Sequence, residues 1–536
     1  MAPAALIDVL QDAGSSKTDR RLPVTLLSGF LGSGKTTLLE NILTSPDHGM
    51  RIGVIVNDVS ALNIDAALLS IHDVTRKQEQ VVAMQNGCIC CTLRGDLLEE
   101  VARLANNKQV EYLVIESSGV SEPMQVAETF SEEFAEMHIA AGHDLEAEAQ
   151  GDIETNKRLA AILKAGGLSR LARLDTCVTL VDAVHFMQDF ATADFLVDRQ
   201  DDVPKEDDRN ISDLQVDQVE FADVVIVNKC DLVSNEEVNR VKGVVKKLNP
   251  DAKIIATVKS KLELEDILDT RMFSYEKAAL SAGWLKSLSD EINPETEEYG
   301  IGTFIYRARR PFAPARLWEM IRSVFVVIQT EYQDEEGDME VEWKRSQDED
   351  GEDGEDDKVS SQMDVDEEQP QLNPQARLAA KMADETFGPL LRSKGFLWLA
   401  TRPTMFGEWS QAGVMLTISG GDPWRCEVPE DEWPKDPKVV EAITRDFEGE
   451  WGDRRQEIVF IGQQMRSDGE QRLRRALDAC LLNDEEFRQW EEAMRSENAQ
   501  EKLDDLFEDG FEGWLDEQLH NHVHDHENGQ AHPNPQ

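Results

Sequence analysis

The chain has 536 residues, of which 40% are hydrophobic, and a formal net charge of −51. Its length is typical of about two to four domains, and its charge argues against a nucleic-acid partner, because phosphate binding requires clustered Lys and Arg. No apolar run of about 18 residues occurs, so no membrane span is predicted. The first residues also lack the basic and apolar pattern of a leader. We expect a cytoplasmic protein, with the nucleus as a second compartment, in which the cysteines stay reduced.

Apolar strand patterns alternate with helical patterns through the first half of the chain. Such alternation is typical of an α/β fold, in which a mostly parallel sheet is flanked by helices. The sequence therefore predicts a first domain over residues 21–290, after a flexible tail at 1–20 and with a polar insert near 131–172. The predicted strands are 24–28, 51–56, 111–115, 177–181, 223–227 and 253–256, and the main predicted helices are 37–43, 93–104 and 236–248.

A smaller α+β domain is predicted over residues 298–490, with strands near 302–307, 396–400, 413–418 and 456–461 and a helix near Trp318. An acidic insert at 331–369 interrupts this domain and holds 19 acidic residues against 3 basic ones. Charge runs of this kind are usually solvated and disordered. The final segment, 491–536, is predicted to be an acidic and histidine-rich tail.

A phosphate-binding loop is predicted at residues 29–36, which read Gly-Phe-Leu-Gly-Ser-Gly-Lys-Thr between a predicted strand and a predicted helix. This pattern lets backbone N–H groups converge on phosphate oxygens at the start of the helix. Lys35 is placed to reach the β- and γ-phosphates, and the hydroxyl of Thr36 to bind Mg²⁺. The predicted nucleotide contacts are Gly29, Phe30, Leu31, Gly32, Ser33, Gly34, Lys35, Thr36 and Thr37.

A guanine-reading motif, Asn-Lys-x-Asp, follows the predicted strand at 223–227 and consists of Asn228, Lys229 and Asp231. A carboxylate accepts hydrogen bonds from guanine N1–H and N2–H₂, whereas the N1 lone pair of adenine repels it. The alternative interpretation is that Asp231 only begins the next turn. Because the motif lies downstream of a predicted phosphate loop in the same α/β region, we predict that it selects GTP.

Two further acidic residues, Glu116 and Asp58, are candidate catalytic groups beside Lys35 and Thr36. Glu116 ends a predicted strand, where an acid typically orients Mg²⁺ or the attacking water. Its alternative role is to cap the helix that starts near Glu122. Asp58 follows the second predicted strand and is placed for Mg²⁺, although a simple polar turn is the alternative.

Three of the seven cysteines, Cys88, Cys90 and Cys91, form a C-x-C-C motif. Thiolates suit Zn²⁺ or Cu⁺ rather than Mg²⁺, and three close cysteines without a local fourth ligand indicate an exchangeable site. The alternatives are three small residues packed in a loop and a redox relay. A weaker, auxiliary metal site is predicted in the tail, where the alternative is a solvated segment. Its residues are His520, His522, His524 and His526.

Together these motifs resemble those of the CobW-type P-loop GTPases and zinc metallochaperones. The resemblance is carried by residues 29–36, 87–91, 116–119 and 228–231, and in the second half, which resembles the CobW C-terminal domain, by 307–312, 394–398 and 455–460. It implies GTP hydrolysis with Mg²⁺, Zn²⁺ held by the three clustered cysteines, and transfer of that zinc to a metalloprotein client. The resemblance is also compatible with a homodimer that forms when nucleotide is bound.

The chain departs from the family pattern in its predicted switch, where residues 57–60 read Asn-Asp-Val-Ser instead of Asn-Glu-Phe-Gly. This variant resembles a branch that includes accessory proteins for metal-hydrolase maturation. Three other functions therefore stay open. They are a cobalt- or nickel-handling accessory GTPase for metalloenzyme maturation or cobalamin synthesis, a non-catalytic zinc buffer, and a nucleotide-switched regulator with a structural metal.

Overall fold

The structure is a computed structural model of the chain. It describes residues 21–45, 49–56, 73–76, 91–106, 110–131, 134, 162–164, 166–196, 199, 209–280, 300–329, 374–430, 433, 440 and 443–511.

The first half forms a seven-stranded parallel sheet with the strand order β3-β2-β4-β1-β5-β6-β7. The prediction of an α/β fold is confirmed. The predicted strands are all present, and β3, which the sequence did not predict, has a single apolar residue among its four. The strands are β1 (Leu22–Ser28), β2 (Ile52–Val56), β3 (Asp73–Arg76), β4 (Tyr112–Glu116), β5 (Ala172–Asp182), β6 (Val224–Asn228) and β7 (Lys253–Ala256).

Helices cover both faces of this sheet, because successive strand residues point to opposite sides. Leu26 packs in the cluster with Leu98 of the crossover helix, whereas its neighbour Leu27 packs in the opposite cluster with Leu38 and Leu39. The helices are α1 (Lys35–Thr44), α2 (Cys91–Ala105), α3 (Pro123–Glu128), α4 (Phe186–Phe190), α5 (Ile211–Glu220), α6 (Asn235–Leu248) and α7 (Tyr275–Leu280).

The second half forms a six-stranded mixed sheet with the order β8-β13-β10-β11-β12-β9, in which only the β9–β12 pair is parallel. The strands are β8 (Ile301–Ala308), β9 (Val326–Gln329), β10 (Leu390–Leu397), β11 (Met405–Ala412), β12 (Met415–Pro423) and β13 (Gln456–Gln463). The helices are α8 (Pro314–Arg322), α9 (Pro374–Ala383), α10 (Glu470–Asp478), α11 (Asp484–Met494) and α12 (Ala499–Leu506).

Packed structure continues into the segment that the sequence assigned to the acidic tail. Helix α12 buries Leu503 completely, and Phe511 is 5% exposed. The ring of Phe511 meets Trp318 of α8 edge to face, with centroids 5.3 Å apart. The chain is therefore packed against the second sheet as far as Phe511, because apolar residues recur among its acidic ones.

One apolar cluster joins the two sheets. Val216 and Val219 of α5 and Val241 and Val244 of α6 pack in it with residues of the second sheet. The residues from the second sheet are Ile301 and Ile305 of β8, Ala412 of β11, and Val459 and Ile461 of β13. Helix α5 consequently lies between the two sheets.

Candidate nucleotide site

The loop between β1 and α1 fits so closely against its neighbours that two of its glycines cannot carry a side chain. Gly29 has a φ of 134°, and a Cβ there would lie 2.3 Å from the carbonyl oxygen of Leu180 in β5. Gly34 has a φ of 107°, and its Cβ would lie 2.3 Å from Nδ2 of Asn228. Both conformations are ones that side chains other than that of glycine rarely adopt. The close fit also places the predicted phosphate loop directly beside the predicted guanine motif.

Lys35, the first residue of α1, folds back over this loop. Its side-chain Nζ donates to the carbonyl oxygens of Gly29, at 2.6 Å, and Phe30, at 3.3 Å. The residue is only 8% exposed. A buried cation at the start of a helix, above a loop rich in backbone N–H groups, is suited to binding phosphate.

Thr36 and Glu116 are brought together because β1 and β4 are neighbours in the parallel sheet, with Leu27 in register with Glu116. The hydroxyl of Thr36 donates to Oε1 of Glu116 over 3.1 Å. A hydroxyl and a carboxylate are oxygen ligands of the kind that Mg²⁺ prefers, so the pair fits this ion. The N-cap of α3 is Glu122, not Glu116. The catalytic role of Glu116 stays a prediction.

The side chain of Asn228 connects the phosphate loop to the segment after β7. Its Nδ2 donates to the Ser33 carbonyl and to the Ser260 hydroxyl, both at 2.9 Å. Its Oδ1 accepts from the Ser260 backbone N–H at 2.9 Å and from the Thr257 hydroxyl at 3.1 Å. Asn228 is 2% exposed. Four hydrogen bonds therefore fix the predicted phosphate loop, the predicted guanine motif and the segment after β7 relative to one another.

Lys229 has a partner that the sequence analysis did not identify. Its Nζ donates to Oδ2 of Asp182, the last residue of β5, at 2.7 Å. The same oxygen lies 2.9 Å from Nδ1 of His185. Burial would raise the pKa of Asp182, but the hydrogen bonds from His185 and Lys229 outweigh it and hold that pKa below its ordinary value. A charged Asp182 thus anchors the ammonium group of Lys229. The side chain of Asp231 is exposed, and its contact with guanine stays a prediction.

The loop after Glu116 is held by α5. Gln218, which is 1% exposed, donates from Nε2 to the carbonyl oxygens of Gly119 and Ser121, each at 3.2 Å. Sequence reasoning missed Gln218, because a glutamine inside an amphipathic helix gives no signal of a distant partner. Asp182, in contrast, ends its strand at the same edge of the sheet as Glu116 and Asn228. This position could have indicated it.

Several predicted site residues lie outside the described residues: Asp58, Cys88, Cys90, His520, His522, His524 and His526. Cys91 begins α2, but its side chain is not among those described. Within the described ranges, no group of three or more His, Cys, Asp or Glu is placed to hold a metal ion. No described helix is long and apolar enough to cross a bilayer.

Comparison with known proteins agrees with this geometry. The family described as "CobW/HypB/UreG, nucleotide-binding domain" matches residues 23–148 and 145–256, and the "Cobalamin synthesis protein cobW C-terminal domain" matches 365–481. A zinc-regulated GTPase metalloprotein activator 1 of Dictyostelium discoideum is 37% identical over 475 residues, which are 87% of this chain and 81% of that protein. The chain belongs to the CobW family of P-loop GTPases.

Other relatives are more distant. A zinc chaperone CobW of Pseudomonas aeruginosa is 29% identical over 47% of this chain and 60% of its own length. The crystal structure of the Zn(II)-bound YjiA GTPase from E. coli aligns with 86% of this chain and 99% of its own, at 19% identity and a TM-score of 0.30. The family confirms the predicted resemblance and GTP hydrolysis as the reaction. Its nucleotide-binding region includes both the phosphate loop and the guanine motif of this chain.

Proposed function

We propose that this GTPase is a metallochaperone that binds zinc through Cys88, Cys90 and Cys91 and transfers it to a metalloprotein client. The names of two relatives support this proposal, one a zinc-regulated metalloprotein activator and the other a zinc chaperone. Thiolates are the ligands that zinc prefers, and a site with three of them keeps a position open for exchange.

The orientation of α2 carries the proposal. A Cβ at Gly53, near the start of β2, would lie 3.5 Å from Leu104, so the end of α2 packs at the amino edge of the sheet. The helix therefore begins, at Cys91, towards the carboxyl edge, where the phosphate loop and Glu116 also lie. The C-x-C-C motif ends at this first helical residue, so we expect a zinc ion bound there to lie on the same side of the sheet as the nucleotide.

This arrangement would couple GTP hydrolysis to the state of the zinc site. The γ-phosphate and its Mg²⁺ commonly hold switch segments that change conformation when the phosphate leaves. Asp58, placed between β2 and β3, is the candidate switch residue for Mg²⁺. Loss of the γ-phosphate would alter the segments that join these strands to α2, and zinc would be released to the client at that step.

Metal analysis of the purified full-length protein tests the proposal. We expect one tightly bound zinc per chain in the wild type and its loss when all three cysteines, Cys88, Cys90 and Cys91, are changed to Ser. The matched control is Cys230→Ser, since this half-buried thiol donates to the Val227 carbonyl, a bond that a hydroxyl can replace. Equal zinc content in the triple variant and the control would refute the assignment of the ligands.

A second measurement separates transfer from storage. Lys35→Ala removes the phosphate-binding cation and leaves the cysteines intact, so the variant should bind zinc but fail to release it to a chelator when GTP is added. A simple zinc buffer would release zinc equally with and without GTP. Replacing Zn²⁺ with Co²⁺ or Ni²⁺ in the same assay determines which metal the GTPase cycle releases.

A further inference from the structure

Helix α5 is connected to the candidate nucleotide site by two sets of hydrogen bonds. Gln218 holds the carbonyls of Gly119 and Ser121 through its side chain. Its backbone carbonyl accepts from the Thr179 hydroxyl at 2.6 Å, and that hydroxyl shares a 2.7 Å hydrogen bond with Ser28, directly before the phosphate loop. A movement of α5 would therefore reach the loop after Glu116 and the start of the phosphate loop together.

The same helix carries three acidic residues towards the second sheet. Asp213, Asp217 and Glu220 are spaced so that they share one side of α5. Arg392 of β10, which is 1% exposed, places Nη1 3.5 Å from Oδ1 of Asp213 and Nε 3.8 Å from Oε1 of Glu220. Lys394, two residues along β10, adds a second positive charge that acts on all three carboxyl groups.

The guanidinium of Arg392 is itself fixed from β11. It donates from Nη1 to the Ser410 hydroxyl at 3.0 Å and to the Gln411 carbonyl at 3.2 Å. A buried ion pair contributes little net stability compared with apolar residues of similar size. The apolar cluster between the sheets already packs α5 against the second sheet, but apolar contacts are not directional and allow the helix to shift along its axis. A directional charged contact instead defines where along its axis α5 lies.

We propose that Arg392 is a positioning residue for GTP hydrolysis. It fixes α5 against the second sheet. Helix α5 in turn holds the loop that begins at Glu116 in position through the side chain of Gln218. The C-terminal domain is by this route part of the GTPase mechanism. Any partner that shifts β10 relative to α5 would therefore change the hydrolysis rate. The inference rests on GTP hydrolysis and on the predicted catalytic role of Glu116, and it is independent of zinc transfer.

Steady-state hydrolysis by full-length variants tests the inference. Arg392→Met should lower kcat by about 10-fold or more, with KM for GTP changed less than about 2-fold, because misplacement of a catalytic loop costs turnover rather than nucleotide binding. Arg392→Lys keeps the charge and should recover most of the loss. Gln218→Met should give the same loss, and the double variant should be no slower than either single variant, since both act through one contact path.

The matched control is Arg454→Met. Arg454 is a second buried arginine of the C-terminal domain, at 5% exposed. It forms an ion pair with the exposed Glu427 and donates to the Pro403 carbonyl at 2.6 Å. It should lose thermal stability and keep its kcat. If Arg392→Met does not fold, the double change Asp213→Asn and Glu220→Gln removes the negative charges that pair with Arg392 from the α5 side. This variant should lower kcat in the same way. Unchanged kcat in a folded Arg392 or acid variant, or a kcat that falls equally in Arg454→Met, would overturn the proposal.

Discussion

Replacing Asn228 with Ala would test whether one side chain sets the geometry of the nucleotide site. The change removes four hydrogen bonds at once. The hydroxyls of Thr257 and Ser260 can turn to other partners, but the Ser33 carbonyl and the Ser260 N–H lose theirs in a buried place. Each orphaned backbone group costs about 1–3 kcal/mol, so the free energy of unfolding should fall by about 2–6 kcal/mol.

The same change should weaken nucleotide binding, because Ser33 lies in the phosphate loop and Ser260 beside the guanine motif. Loss of their link should lower GDP affinity about 10- to 100-fold, equal to about 1.4–2.8 kcal/mol. Titration with a fluorescent GDP analogue measures this, and thermal unfolding without nucleotide measures stability. Thr257→Val is the control, since it removes one of the four hydrogen bonds and should cost about 1 kcal/mol. If Asn228→Ala bound GDP as tightly as Thr257→Val does, the linking role of Asn228 would be wrong.

Three further changes are predicted. Asp231→Asn should lower GTP affinity by at least about 100-fold and improve binding of xanthosine triphosphate. The new amide N–H group would oppose the N–H groups of guanine, whereas it can donate a hydrogen bond to O2 of xanthine. Competition binding with the two nucleotides measures both effects. Gly29→Ala should weaken nucleotide binding more than Gly32→Ala, because only the first Cβ meets a backbone oxygen, at 2.3 Å; equal effects would contradict the steric argument. Burial raises the pKa of Asp217 to about 8, so the folded state retains a proton that the unfolded state releases near pH 4. The free energy of unfolding should therefore fall by up to about 1.4 kcal/mol per pH unit as the pH rises from about 4 towards 8. Melting curves of Asp217→Asn over this pH range should show a smaller fall.

The strands of the first sheet were predictable because a parallel sheet covered on both faces needs continuous apolar runs. Strand β6, Val224–Asn228, is buried at each of its five positions and is shifted by one residue from the predicted range 223–227. The edge strand β3 has neighbours on one side only and reads Asp-Val-Thr-Arg, so it gave no such run. In the second sheet, β11 was missed because Trp409 and Gln411 on its buried side alternate with Glu408 and Ser410. An antiparallel strand with buried polar residues has no distinctive pattern.

The site was predictable where its chemistry is contiguous in the chain. The phosphate loop and Asn-Lys-x-Asp are short motifs whose residues act together. The residues that hold those motifs in place come from elsewhere: Asp182 lies 47 positions before Lys229, and Ser260 lies 32 positions after Asn228. They are common polar residues whose role depends on strand order, which no local pattern contains. Only the rule that parallel strands present their carboxyl ends at one edge could have indicated them.

Two buried amides hold the nucleotide loops from different directions, and their difference has a functional consequence. Asn228 joins the predicted phosphate loop to the segment that contains Ser260, within the GTPase domain. Loss of this link should therefore lower nucleotide affinity. Gln218 joins the loop after Glu116 to a helix whose other side meets the C-terminal sheet, so damage there should appear in turnover. A protein that must couple hydrolysis to a distant event needs this separation, because nucleotide can then stay bound while the second domain alters its cleavage. The contrast between KM and kcat in the Asn228 and Gln218 variants therefore shows whether affinity and turnover are controlled by separate contacts.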